Sequence, residues 1–329
     1  MLERIVAGAG TNRSTMQDDR PVTEFSKFLT KSEISHFSQI SSWRFFGAVA
    51  IEVLTIVLAI YLSERYWNIP LYIAVVIVIG SRMHALAVLM HDATHYRASS
   101  NRRINEFTGE VLALLVSITM QGYRNTHFAH HRELNTENDP DWIRKLGAPE
   151  FSFPKSPRAI ILMLSQYALG LKFYGEAKKI KKMKNMGNIS TRLKILRAAF
   201  ILLTIASAIL FGFWKQLILY WLIPLVTSFM FFLQIRSVAE HFAVEYQHML
   251  NHTRTVVAPF WERWLFAPHG VNYHLEHHLY PSVPFFQLPR LHRYLMTKDE
   301  FARSAHITKG YTTGLFRECC TAIQAPDAA

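Results

Sequence analysis

Four apolar segments constrain this chain more than anything else in it. A helix needs about 20 mostly apolar residues to cross the ~30 Å hydrocarbon core of a bilayer. Residues 45–62, 71–90, 198–214 and 217–235 each approach or meet that length. Backbone polar groups in lipid must be satisfied within their own segment, so each is expected to be a helix. They fall into two pairs, the first closed by Ser63 to Pro70 and the second by little more than Lys215 and Gln216, which predicts two hairpins. Residues 111–120 and 160–173 are apolar but too short to span. Both are expected as helices on the membrane surface or under a cytoplasmic domain.

Charge supplies the orientation. The net charge is +12, from 36 Lys+Arg against 24 Asp+Glu. Only Arg65 and Lys215 fall in the two hairpin tips, and Arg82 lies inside a span. The remaining basic residues lie in the N-terminal arm, the middle and C-terminal regions, or at the ends of spans on that same side. The positive-inside rule then places both termini and the middle region in the cytoplasm. This topological origin of the excess removes the case for nucleic-acid binding. The polar stretch before residue 43 has no apolar h-region, so no signal peptide is expected. Two adjacent cysteines, Cys319 and Cys320, exclude a disulfide scaffold.

Histidine carries the chemistry. Of 16 His, eight sit in three tight clusters: His91 and His95; His127, His130 and His131; His274, His277 and His278. Residues three or four apart share a helix face, so each cluster can turn its imidazoles towards one point. In each three-His cluster the first residue can share a face with both members of the following pair. Neutral imidazole suits Zn, Cu, Fe and Ni, and eight ligands exceed the four of a zinc site, which suggests two metals. Three such clusters arise by chance on the order of one time in a thousand or less. A shared site also fixes parity. All three clusters must lie on one side of the membrane, so neither short apolar stretch can cross, which is the topology that charge gives independently.

HDATH from His91, HFAHH from His127 with Asn135 and Asp139-Pro140-Asp141 behind it, and NYHLEHHLYPSVP from Asn272, in this order on four spans, resemble the membrane fatty acid desaturase/hydroxylase superfamily. The resemblance covers residues 44 to 295. It implies an all-α integral membrane protein whose two hairpins carry a cytoplasmic helical metal-binding cap. It divides the chain into an arm at 1–43, a membrane and di-iron domain at 44–295, and a tail at 296–329. It implies two Fe ions, O2 as co-substrate, and electrons from a separate ferredoxin, rubredoxin or cytochrome b5-like donor with its reductase. The substrate implied is a fatty acyl chain or other lipid, to be desaturated. Carotenoid or lipid hydroxylation or ketolation, and decarboxylation of a fatty acid to a 1-alkene, are the neighbouring activities. A metal transporter or sensor is the non-enzyme alternative. The resemblance adds one ligand, His241, on the extension of the last span. The three-residue spacing within His91–His95 is similar to that of the acyl-lipid and carotenoid-modifying branches.

Ligand histidines usually give their second ring N–H to a carboxylate or carbonyl. Asp92, Glu240 and Glu276 lie beside ligand candidates, as do Glu133, Asp139 and Asp141, with Asn272 a weaker choice. Glu52 and Arg82 are each expected roughly 12–14 Å inside the bilayer from its cytoplasmic side. Intramembrane charges are paired, so they are expected to meet and fix the first hairpin. His84 lies on the face of His91 and deeper, as a packed polar residue. The basic run from Lys178 to Lys184 suits anionic lipid head groups or an acidic electron-transfer partner. His36, His248, His252, His269, His292 and His306 lack the box spacing and are expected at the surface or beside the site. No HExxH, P-loop, dinucleotide or haem-attachment motif is present.

Overall fold

The computed structural model describes residues 28–182 and 189–321. Most of the expected arm, the end of the expected tail, Gly8–Gly10 and Lys184 lie outside the described residues. The architecture is mostly helical. A short helix α1 (Lys31–Phe37), closed by a Thr30–Glu33 capping box, leads into α2 (Ser42–Arg65). Helix α3 (Ile69–Thr94) follows after three residues. Asn68 starts it by accepting from Leu71 N, and Pro70 sits in the first turn, where its missing N–H costs nothing. Next come α4 (Arg102–Leu115), α5 (Met120–Arg132), α6 (Pro140–Lys145), α7 (Pro157–Ala168) and α8 (Phe173–Lys181). Two further long helices follow, α9 (Thr191–Leu210) and α10 (Trp214–His241). Thus four helices are long and apolar enough to cross a membrane, as the sequence marks. The second pair needs a correction: its first helix starts at Thr191 rather than near residue 198, and the turn falls at 211–213, where Gly212 takes φ 75°, so that Trp214, Lys215 and Gln216 belong to the first turn of α10.

The two short apolar stretches break as their length requires. Residues 111–120 span the end of α4, a turn at Val116–Ile118 and the Thr119 cap of α5. Residues 160–173 cover α7, a turn with Gly170 at φ 75°, and the start of α8. Neither is a long helix.

Helix α3 is central. It packs on α2, α4 and α10 and is buried along most of its length. By contrast, α9 is exposed almost throughout, as is the outer face of α2, including Ile51, Leu54 and Leu58. Apolar surface of that extent is stable only in an apolar surrounding, which with the four helices marks a membrane protein. α3 and α10 approach closely at Gly80, where a Cβ would lie 2.6 Å from Phe229 N and collide with the Ser228 side chain. Opposite this contact α10 is irregular. Residues Ile218–Leu222 form a π-turn, Pro224 follows, and Thr227 departs from helical angles (φ −114°, ψ −93°). The Ser228 hydroxyl donates 2.6 Å to Val76 O on α3. Pro224 has no N–H to give the preceding turn, and a π-bulge is a usual accommodation.

Beyond α10 lie α11 (Phe260–Phe266), α12 (His274–Leu279), α13 (Leu288–Leu295), α14 (Asp299–Ser304) and α15 (Phe316–Cys320). The all-α expectation needs one correction here. β1 (Thr255–Val257) and β2 (Ile307–Lys309) pair in parallel, Thr255 opposite Ile307. Both are mainly β-branched, and such residues favour extended backbone.

Candidate metal centre

Three ties set the helices that carry the histidines. Arg124 on α5 donates to Thr94 O and Ala93 O at the end of α3, and forks onto both oxygens of Glu106 on α4. Those carbonyls belong to the last turn of α3, which has no intrahelical donors for them. Arg97 joins His95 O to Ser38 O and Ser282 O, locking the end of α3 to the loops before α2 and after α12. Arg254 donates to Phe242 O and Ala243 O just past α10 and pairs with Glu318 at 2.7 Å.

The result is two adjacent groups. His91, His95, His127, His131 and His277 form one; His130, His241, His274 and His278 form the other. Within each group the ligand atoms lie within 4.8 Å of one another. All nine histidines singled out in the sequence are there, and no other residue joins them among those described. The distribution differs from the simple expectation in one respect. Each three-His cluster divides between the groups. On α5, His127 and His131 enter the first and His130 the second; on α12, His274 and His278 enter the second and His277 the first. The cause is helical geometry. Steps of three and four residues leave the starting direction by about −60° and +40°, so neighbours in the HH pair diverge by about 100°.

The contacts within each group fit a shared cation. His127 Nε2 lies 2.8 Å from His95 Nε2 and 3.0 Å from His131 Nε2, which is itself 3.1 Å from His277 Nε2. His274 Nε2 lies 2.9 Å from His241 Nε2 and 3.0 Å from His278 Nε2. A neutral imidazole nitrogen carries either one hydrogen or one lone pair, so none can satisfy two such neighbours. Lone pairs aimed at a shared ion remove the conflict. Burial holds His127, His131, His274, His277 and His278 well below the usual histidine range, which keeps them neutral, the ligating form. Among the described residues, His91 Nε2 and His241 Nδ1 are buried without a partner. A small cavity of about 10 Å3, room for about one water, is lined by His91, His274, His277 and His269 among others.

The surrounding partners sort the carboxylate candidates. Asp139, fully buried, accepts from His130 Nδ1 at 2.8 Å and from Asn135 N at 3.0 Å. Its other oxygen caps α6 through Asp141 N and Trp142 N. Glu240 lies 3.3 Å from His274 Nδ1 while bound to Arg236 at 2.7 Å. Glu276 does not meet a clustered histidine. It accepts from His292 Nδ1 at 2.5 Å and from Thr255 Oγ1, joining α12 to α13 and β1. Asp92 accepts from Phe285 N at 3.1 Å, and Asn272 donates to Val256 O at 2.9 Å; both brace the loops around the boxes rather than a ring. Glu133 pairs with Arg132, and Asp141 with Arg144 and Lys145.

Several contacts had no sequence signal or only a faint one. Tyr123 OH lies 3.4 Å from His127 Nδ1, one turn away, a spacing open to inspection beforehand. His269, His292 and His306 turn inwards onto Glu52, Glu276, and the pair Glu245 and Glu318. The Glu52–Arg82 pair forms at 2.9 Å, both side chains buried. His84 is fully buried and stacked on Phe232. Part of the basic run serves internal pairs, Lys179 binding Glu176 at 2.8 Å.

Similar proteins agree with the geometry. The dihydrorhizobitoxine desaturase of Bradyrhizobium elkanii is 26% identical over 257 residues, 74% of this chain and 72% of that protein. A putative sphingolipid delta(4)-desaturase/C4-monooxygenase of Caenorhabditis elegans is 26% identical over 211 residues, 63% of this chain and 54% of the relative, so the chain spans about half of that protein. The chloroplastic omega-6 fatty acid desaturase of Glycine max is 23% identical over 306 residues, 85% and 68%. The fatty acid desaturase family model matches residues 66–310, well over half the chain. Alongside the divided histidine boxes and the four apolar helices, that match makes this chain a member of the fatty acid desaturase family, within the membrane desaturase/hydroxylase superfamily.

Proposed function

We propose that the chain is an O2-dependent oxidoreductase that uses two irons, one in each histidine group, to introduce a double bond into a fatty acyl chain. The observation that carries this is the division of nine buried imidazoles into adjacent groups of five and four. Bound there, the irons supply the oxidising power to take two hydrogens from adjacent unactivated carbons, with O2, two outside electrons and two protons ending as two waters.

The chain's own residues hold and orient. Asp139 cannot donate, so it fixes His130 with hydrogen on Nδ1 and the Nε2 lone pair facing its group. Glu240 and Tyr123 flank His274 and His127, and His91 and His241 complete the two groups, with burial excluding bulk water. In this reading a ferredoxin, rubredoxin or cytochrome b5-like donor and its reductase supply the electrons, as the family resemblance implies. The basic residues that border the histidine side support a topology of two hairpins, with both termini and the site facing the cytoplasm. In this reading residues 44–295 form the membrane and di-iron unit.

The nematode relative's name includes a monooxygenase activity, so hydroxylation of the same chain is the second reading. Metal content of the detergent-purified protein beside His130→Ala is the first test. Two irons per chain, reduced in the variant, are expected for two groups. Product masses from fed fatty acids and carotenoids then separate loss of two hydrogens from gain of oxygen or loss of a carbon. Zinc or copper in place of iron, unchanged in the variant, overturns the proposal and favours a transporter or sensor.

A further inference from the structure

The segment after α10 holds a helix whose polarity is inverted for an element in water. In α11 and the residues leading into it, every exposed residue is apolar: Val257, Pro259, Phe260, Trp261 and Trp264. Phe260 is 74% exposed and Trp261 54%. The one acidic residue, Glu262, is turned inward, where it accepts from Tyr311 N at 2.8 Å and Thr312 N at 3.0 Å.

The inner end of the helix is fastened to the middle of α3. Trp264 O accepts from Arg82, whose guanidinium also lies 4.0 Å from the Trp264 ring centre. Leu265 O accepts from Ser81 Oγ at 2.7 Å, and Arg263 O from Ala267 N at 3.0 Å. Three of the last four carbonyls, the groups a helix end leaves without partners, are thus met by protein rather than solvent. That is what a bilayer interior demands.

Height along α3 supports the same placement. Tyr66, Trp67 and Trp214 are exposed at the far end of the bundle and mark the opposite interface. Ser81 and Arg82 lie 12 and 13 residues beyond Ile69, about 18–20 Å into a core of ~30 Å. They therefore sit roughly 10 Å inside the boundary nearest the histidines, a depth typical of interfacial amphipathic helices. Glu52 is 13 residues before Arg65, at the same height on α2, and it neutralises Arg82 while also meeting His269.

We propose that α11 is a re-entrant element, a short helix seated in the bilayer that touches lipid acyl chains through Val257, Phe260, Trp261 and Trp264 and leaves by the face it entered. It packs on α3 and α10, two of the four helices long and apolar enough to cross the bilayer, with its exposed apolar side chains turned away from them, which makes lipid the occupant of this surface. Its polypeptide returns through Pro268–Gly270 directly to α12, so one end of the element lies in lipid and the other at the metal centre. The inference rests on α3 crossing the bilayer.

The test uses the full chain in lipid nanodiscs, with Cys319→Ser and Cys320→Ser as background. A single environment-sensitive fluorophore is attached at Phe260→Cys, at Leu58→Cys on the outer face of α2, or at Asp299→Cys on the surface of α14. Quenching by nitroxides on lipid tails is compared with quenching by aqueous iodide. The label at 260 is expected to follow that at 58, with iodide quenching roughly tenfold weaker than at 299. Iodide quenching at 260 equal to that at 299, with 58 still lipid-quenched, overturns the inference and leaves the membrane topology standing. Protection at 260 from both quenchers also overturns it, since a protein surface then covers the helix. Iodide access at 58 sinks the spanning reading itself.

Discussion

Replacing Asp139 by Asn changes one atom and separates two roles of one carboxylate. In the native protein one oxygen takes His130 Nδ1 at 2.8 Å and Asn135 N at 3.0 Å, and the other takes Asp141 N and Trp142 N at 2.9 and 3.1 Å. Four donors meet two acceptors. An amide offers one oxygen and one NH2, so whichever way it turns, two of those donors face a donor. With the oxygen kept at the cap, helix α6 loses little, since Asn caps as well as Asp. Asn135 N then becomes a buried unpaired group, at about 1–3 kcal/mol. His130 loses the partner that fixes its tautomer. Removing such a partner typically weakens metal binding 10–100-fold, about 1.4–2.8 kcal/mol. The assay is iron retention by purified protein across a chelator series, with the melting temperature of the metal-free forms measured separately. The Asn curve is expected at 10–100-fold lower chelator. Superimposed curves for Asn and wild type, whatever the change in melting, would refute the view that Asp139 orients a ligand and leave it only a helix cap.

Three further outcomes follow from other contacts. Gly80→Ala puts a Cβ against the backbone of α10, so it should destabilise by about 1–3 kcal/mol. Gly47→Ala, with open space at its Cβ, should be neutral or slightly stabilising; equal melting temperatures for the two would count against the close helix contact. Arg82→Met strands Glu52 and the Trp264 carbonyl, at about 3–5 kcal/mol, and adding Glu52→Gln should restore part of it; an unchanged melting temperature in the single variant rejects the pair as structural. His306 is held above its usual 6.5 by hydrogen bonds to Glu245 and Glu318 despite burial. A raised folded value stabilises fully below the unfolded one and is lost as pH rises through the folded one. The melting advantage of wild type over His306→Gln should therefore be largest below about pH 6.5 and be lost as pH rises through the folded value, and a flat difference from about pH 5.5 to 9 would contradict it.

The long helices were legible because a 20-residue apolar run has few other uses, and their ends fell close to the capping and turn residues. The irregularity inside α10 was not, since Pro224 signals a disturbance but not whether a π-turn or a kink absorbs it. The nine histidines could be read from spacing and resemblance together. Their allotment to two groups could not. Spacing of three or four says which residues are near neighbours on a helix, while the allotment of side chains that diverge by about 100° to one group or the other depends on where α3 and α10 stand. Asp139 was one acid among several until the fold set it against His130. Glu276, like Asp92, looked the better choice from its place inside a box, and it turned the other way, to His292 sixteen residues on. Arg82 was rightly seen as half of a pair. Its second partner is the carbonyl of Trp264, and backbone atoms leave no trace in a sequence.

The division of each three-His cluster has a consequence for how the centre assembles. Helix α5 gives two ligands to one group and one to the other, and α12 does the reverse. On the proposed two-metal reading, the first ion to bind would immobilise both shared helices, and in doing so would set three of the four or five ligands of the neighbouring group. The first binding event carries the ordering cost for both. Loading should then be cooperative, with half-filled protein scarce at every metal concentration, and a fault in either group should empty the pair.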